Sequence, residues 1–162
     1  MVNNNQFISK STDLEGELSD ISEYYQLTFY DDSYNTVDWL NGGVIYQIFP
    51  DRFNISSDGV IKTDRFIHQN LSDNPIFMPN EKGEVENCDF FGGNLKGIIE
   101  KLDYIKSLGV TCIYLNPIFM AYSNHRYDTG DYMKIDTLLG DINDFDELVI
   151  SAERLGIKII LD

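Results

Sequence analysis

Three short apolar runs, separated by two amphipathic segments, constrain the fold of this chain more than any other feature. The runs are VIYQIF (44–49), VTCIYL (110–115) and IKIIL (157–161). Each is apolar at successive positions rather than at alternate ones, which is typical of strands buried on both faces of a parallel sheet. The runs therefore predict three parallel strands.

The segments between the runs have helical spacing. Apolar residues over 95–108 recur every three or four positions behind a cap at Asn94, and Gly109 is placed to end this first helix. A second helix is predicted from Asp144, in a capping box with Glu147, to Gly156. The predicted order is βαβαβ.

Two architectures fit parallel strands joined by right-handed helical crossovers, an open doubly wound sheet and part of a (β/α)₈ barrel. No G-x-G-x-x-G motif follows a strand, and the connection over 50–93 is too long for a nucleotide-binding turn. A complete barrel needs about 250 residues. The predicted fold class is therefore α/β, a partial (β/α)₈ TIM barrel with about strands one to three and two helices.

Ligands bind at the carboxyl ends of the strands in either architecture, so this edge is where functional residues are expected. The polar residues that follow the three predicted strands are Asp51, Asn116 and Asp162. We expect them to lie at one edge of the sheet.

Charge and composition limit the partners. The chain has 12 Lys and Arg against 27 Asp and Glu, a net charge of −15, which disfavours nucleic acid and anionic membrane surfaces. Cys88 and Cys112 form neither a disulfide framework nor a metal-ligand spacing. The amino terminus lacks the pattern of a signal peptide, and no apolar run reaches membrane-spanning length. These features predict a cytoplasmic protein.

The domain division follows from the same pattern. Residues 1–38 are predicted to be a mobile arm, with a short strand over 24–30 that fits the remnant of a preceding domain. Residues 39–162 are predicted to be the amino-terminal part of a barrel.

Four blocks give the chain a specific resemblance. They are VIYQIFPDRF (44–53), FFGGNLKGIIEKLDYIKSLGVTCIYLNPIF (90–119), SNHRYDTGDYMKID (123–136) and GIKIILD (156–162). In this order they resemble glycoside hydrolase family 13, the α-amylase family, and within it the neopullulanase, cyclomaltodextrinase and maltogenic amylase branch. The resemblance extends from about Trp39 to Asp162.

The resemblance implies retaining hydrolysis of an α-glucan or maltooligosaccharide. That reaction needs two carboxyl groups about 5 to 5.5 Å apart, and in the family they follow strands four and five. No catalytic residue is therefore expected in this chain, which is predicted to be truncated before them and inactive alone. A complementary chain completing the barrel is an expected partner, and a noncatalytic carbohydrate-binding or interaction fragment is the alternative function.

The resemblance also implies roles for individual residues. Tyr127 matches a tyrosine that stacks under the sugar at the cleavage subsite, Asp128 matches a residue that hydrogen-bonds glucose hydroxyls, and His125 lines the same subsite. Asp162 matches an aspartate that helps to orient an active-site arginine. A polar loop is predicted after the second strand, from Asn116 through Asp131. It carries the three residues of the subsite, and Asp131 is expected to support the site by holding this loop.

A calcium site is the one cofactor that the resemblance implies. Related enzymes use a Gly and an Asp of the FFGG-D block together with residues of the loop after strand one, and oxygen donors of this kind suit calcium. This chain has Gly92 but carries Asn94 in place of the aspartate, and 54–58 keeps the spacing poorly. Loss of the carboxylate charge lowers affinity for calcium, so a plain helix cap is the favoured role of Asn94.

Overall fold

The structure, a computed structural model, describes residues 7–10, 16–19, 28–33, 35–56 and 64–162. The chain divides into two compact units, Met1–Val37 and Asp38–Asp162. In the first unit, strand β1 (Phe7–Lys10) pairs antiparallel with strand β2 (Gly16–Ser19).

Strands β1 and β2 correct the sequence analysis, which predicted no regular structure in this stretch. Both are only four residues long, too short for an alternating pattern to be recognised. The strand predicted over 24–30 falls mainly outside the described residues, and residues 28–30 have no regular structure. The mobility of the arm stays a prediction.

The second unit is an α/β unit. Its elements in chain order are β3 (Ile45–Ile48), β4 (Phe66–Ile67), β5 (Asp89–Phe90), α1 (Leu95–Glu100), α2 (Leu102–Ser107), β6 (Cys112–Leu115), β7 (Phe119–Ala121), β8 (Thr129–Ile135), α3 (Ile142–Arg154) and β9 (Lys158–Leu161). Two single-turn 3-10 helices, Asp38–Leu40 and Pro50–Arg52, flank β3.

The three predicted strands form one parallel sheet in the order β3-β6-β9. The register aligns Ile48 with Leu115 and Leu115 with Leu161. The residues that follow these strands therefore lie at the same edge of the sheet, its carboxyl edge. Helices α1, α2 and α3 pack against the sheet. The apolar core that they form with it includes Ile98, Ile113 and Leu148.

The helix predicted over 95–108 is divided at Lys101, whose φ and ψ of −104° and 2° leave the α region. The buried side chains of Leu95, Ile98, Leu102 and Ile105 keep helical spacing across the division, so periodicity alone did not reveal it.

The cap of α3 also lies one turn earlier than predicted. Asp141, rather than Asp144, is the N-cap: its side chain accepts hydrogen bonds from the amides of Asn143 and Asp144, at 2.8 and 3.1 Å. Asp144 completes the capping box in the place predicted for Glu147, because its Oδ2 accepts from the Asp141 amide at 3.0 Å.

A hairpin occupies the connection after β6, where the sequence predicted only a polar loop. Strands β7 and β8 pair antiparallel, with Met120 opposite Asp131 and Ala121 opposite Thr129, and the register shifts between these pairs. Strands β4 and β5 form a short parallel pair in the connection after β3. Among the residues that the structure describes, no helix has the length and apolar character needed to cross a membrane.

Candidate functional site

A chain of hydrogen bonds runs along the carboxyl edge of the sheet. Gln47 Nε2 donates to Asn116 Oδ1 at 2.9 Å, and Asn116 Nδ2 lies 3.4 Å from the Tyr127 hydroxyl. That hydroxyl donates to Asp162 Oδ2 at 2.7 Å. The register of β3, β6 and β9 brings Gln47, Asn116 and Asp162 together, and the loop between β7 and β8 supplies Tyr127.

Tyr127 presents an exposed ring at this edge. Its residue surface is 61% exposed, and the ring stacks on His125 with centroids 5.9 Å apart and an interplanar angle of 24°. The Tyr127 amide donates to His125 Nδ1 at 3.1 Å, which ties the two residues together through the backbone as well. The ring is held by Asp162 at its hydroxyl and by His125 at its face and backbone. An exposed ring held in this way is suited to stack against a sugar ring.

Asp162 influences two phenols, Tyr127 and Tyr114 of β6. Interaction with the Asp162 carboxylate raises the pKa of both tyrosines above the ordinary value. Both phenols therefore stay protonated at neutral pH. Tyr114 could not be recognised from the sequence as a residue of this edge, because its position in the apolar run VTCIYL is typical of a core residue.

Asp128 is bound to its own loop. Its Oδ2 accepts from the Ser123 amide at 3.1 Å, and its Oδ1 accepts from the Ser123 hydroxyl. Desolvation raises the pKa of Asp128, but the hydrogen bonds from Ser123 outweigh it, so the pKa lies below the ordinary value. The carboxylate is ionised and suited to accept hydrogen bonds rather than to donate a proton.

Asp131 lies apart from these contacts. It belongs to β8, where its carboxylate accepts from the Met133 amide at 2.9 Å and pairs with Lys134 at 3.4 Å. These contacts are local to the hairpin, and the structure does not bring Asp131 into the group around Tyr127 and Asp162.

The sequence analysis missed a buried ion pair beneath the loop. Arg126 is 1% exposed, and its Nε donates to Asp136 Oδ2 at 3.2 Å. Arg65 Nη1 reaches the same oxygen at 3.3 Å. Both guanidinium groups lie over the ring of Phe90, at 5.6 and 5.1 Å. In a polar stretch such as NHRYD, sequence gives no signal that one charge points inward.

A second buried network joins the connections after β3 and β6. Asp89 Oδ2 lies 2.8 Å from His68 Nε2, and Asn124 Nδ2 donates to Asp89 Oδ1 at 3.1 Å. The Ile76 amide also donates to this carboxylate, at 3.0 Å. Desolvation raises the pKa of Asp89, but the bonds from Ile76 and His68 hold it below the ordinary value.

Asp51, which the sequence placed at the carboxyl end of the first strand, binds backbone amides inside the protein. It is fully buried, and its carboxylate accepts from the amides of Phe91 and Gly92 at 3.0 and 3.1 Å. Burial raises its pKa above the ordinary value despite these bonds. A carboxyl group so enclosed fixes the FFGG turn and is not accessible to a substrate.

The residues predicted to hold calcium are committed to other contacts. Asn94 Oδ1 accepts from the Gly97 amide at 2.7 Å as the N-cap of α1, which is the role that the sequence favoured. The Gly92 amide is bound to Asp51. Within the described part of the chain, no group of three or more His, Cys, Asp or Glu is arranged to hold a metal ion. Asp58 lies outside that part.

Comparison with known proteins decides the family. Residues 47–162 match the family described as "Alpha amylase, catalytic domain". The chain belongs to the α-amylase family. This confirms the resemblance, and with it the assignment to a partial TIM barrel, the fold of the catalytic domain in this family.

Three proteins illustrate the similarity. An amylopullulanase of Thermoanaerobacter thermohydrosulfuricus is 47% identical over 96% of this chain, which covers 11% of that protein. An intracellular maltogenic amylase of Bacillus subtilis is 41% identical over 91% of the chain and 24% of that protein. The ligand-free cyclic α-maltosyl-(1→6)-maltose hydrolase of Arthrobacter globiformis superposes with a TM-score of 0.64 at 40% identity, over 78% of this chain and 26% of that one. The chain thus spans a quarter or less of these two curated relatives.

Proposed function

We propose that this chain supplies part of the sugar-binding edge of an α-glucan-hydrolysing enzyme, with Tyr127 as the stacking platform. The observation that carries the proposal is the hydrogen bond of 2.7 Å from the exposed Tyr127 ring to Asp162, which fixes the ring at the carboxyl edge of the sheet. Ligands of barrel enzymes bind at this edge. In this proposal His125 and Asp128 line the same subsite, and Asp131 holds the hairpin behind it.

The bond-breaking carboxyl groups are proposed to come from outside these 162 residues. A glycosidase needs one carboxylic acid with a raised pKa and access to the substrate. Asp128 has a lowered pKa, and Asp51 has a raised pKa but is buried against backbone amides. Neither fits the role of the acid, and we expect the 162-residue polypeptide to show no hydrolysis by itself.

We also propose that the remaining strands of a barrel, on a complementary or continuous segment, are the partner of this sheet. In the described residues β3 and β9 each pair on one side only. An apolar groove of about 470 Å³, lined by residues that include Met133, Phe145 and Leu161, lies beside β9.

We also propose a cytoplasmic location. One relative, the maltogenic amylase of Bacillus subtilis, is named as intracellular, which supports this proposal.

The test uses the 162-residue chain and a protein in which the barrel is complete. The chain alone should release no sugar from starch, pullulan or cyclodextrins. In the complete protein, Tyr127→Ala should lower kcat more than it raises KM, because stacking matters most as the sugar ring flattens in the transition state. Tyr104→Ala, which removes an exposed ring from α2, is the matched control.

Two results would contradict the proposal. Turnover by the purified chain would place catalytic groups within it. Equal kinetics for Tyr127→Ala and Tyr104→Ala would show that Tyr127 is not a platform for the reacting sugar.

A further inference from the structure

The loop after β3 is joined to helix α1 by a cluster of polar side chains. Ser56 Oγ donates to Glu100 Oε1 at 2.9 Å. Asn54 Nδ2 donates to Glu100 Oε2 at 3.3 Å and to the Gly97 carbonyl at 3.1 Å. Each oxygen of the Glu100 carboxylate therefore accepts a hydrogen bond from the loop.

The backbones of loop and helix also meet directly. A Cβ atom on Gly97 would lie 2.0 Å from the Asn54 carbonyl oxygen, so only glycine permits this approach. The Asn94 amide donates to the same oxygen at 3.2 Å. Ser56 is buried beside these contacts. The loop is thus seated on the first turn of the helix through backbone as well as side chains.

The contacts at this junction are the reverse of what a calcium ion requires. Calcium takes six to eight oxygen ligands, about 2.3 to 2.6 Å away. Here Asn54 turns its NH₂ group to the carboxylate, Ser56 donates its proton, and Asn94 Oδ1 is taken by the Gly97 amide. The oxygens accept from protein N–H and O–H groups instead.

We propose that Asn54, Ser56 and Glu100 form a hydrogen-bonded clasp that fixes the loop after β3 to α1 without a divalent cation. The clasp takes the structural place of the calcium site that the family resemblance implies at Gly92 and Asn94. It fixes the start of the long connection after β3, so we expect the attachment of residues 54–56 to α1 to be independent of calcium.

The first experiment compares the wild-type chain with EDTA and with millimolar calcium, at dilute protein concentration. The thermal midpoint should be the same in both, and terbium, a luminescent calcium substitute, should give no saturable luminescence sensitised by tyrosine or tryptophan. A saturable rise of the midpoint with calcium, or terbium luminescence that calcium displaces, would overturn the proposal.

The second experiment removes the charge at the centre of the clasp. Glu100→Gln turns a double acceptor into a mixed donor and acceptor, and it should lower the midpoint by about 3 to 6 °C. The matched control is Glu153→Gln, on the exposed surface of α3, which should leave the midpoint unchanged. An unfolded Glu100→Gln chain beside a folded control supports the clasp equally, and equal midpoints for the two variants would refute it.

Discussion

Replacing Arg126 by methionine measures how strongly the buried ion pair holds the loop that carries Tyr127. Methionine keeps the apolar stem of the side chain but removes the charge that pairs with Asp136 at 3.2 Å. It also removes the hydrogen bond from Nη1 to the Asn124 carbonyl at 3.1 Å. Arg126 has a φ of +61°, but arginine and methionine meet the same backbone cost there, so strain cancels in the comparison.

The expected loss in the free energy of unfolding follows from the buried Asp136 carboxylate, which loses one of its partners. Removing one partner of a buried pair costs about 3 to 5 kcal/mol, because the other charge stays buried. Arg65 still reaches Asp136 at 3.3 Å, so we expect the lower end, about 3 kcal/mol. With an m-value of about 2 kcal/mol/M, the urea midpoint should fall by about 1.5 M.

The assay is urea unfolding of dilute protein followed by circular dichroism, with Arg154→Met as the control. Arg154 lies at the exposed end of α3, where a substitution should change stability by no more than about 0.5 kcal/mol. If Arg126→Met unfolds at the same urea concentration as Arg154→Met, the buried pair does not hold the loop. The position of Tyr127 would then depend on other contacts.

Two further predictions concern pH and association. Because the pKa of Asp89 lies below its ordinary value, its stabilising effect should be complete above about pH 4 and be lost as the pH falls further. Urea midpoints of wild type and Asp89→Asn should therefore differ at neutral pH and converge in acid, and a constant difference would contradict this. At higher concentration the chain should self-associate through its open strand edges, and coexpression with the missing strands should raise its solubility. A monomer whose elution volume does not change with concentration would contradict this.

The main sheet could be predicted because its strands are apolar on both faces. The observed strands begin one or two residues inside the predicted runs and keep their order, since burial in a parallel sheet imposes a local pattern that sequence displays directly. The same reasoning placed Asn116 and Asp162 at one edge. Tyr127 came from the resemblance to a family and not from periodicity.

Features that depend on tertiary contacts could not be predicted in this way. The division at Lys101 leaves the spacing of buried side chains intact, and the cap at Asp141 competes with a second aspartate three residues later. The inward direction of Arg126 depends on Asp136, ten residues away, and on Arg65 in another connection. Hydrophobic periodicity carries no information about such polar pairs.

In the loop between β7 and β8, two neighbouring residues have different roles, one in stability and one in the proposed binding of sugar. Arg126, in the left-handed region, sends its side chain into the protein, and the next residue, Tyr127, has a ring that is 61% exposed. The ion pair with Asp136 fixes the loop from below, and the hydrogen bond to Asp162 fixes the ring from the edge of the sheet. Loss of the ring should therefore leave the fold intact, whereas loss of the guanidinium should disturb the fold and the position of the ring together.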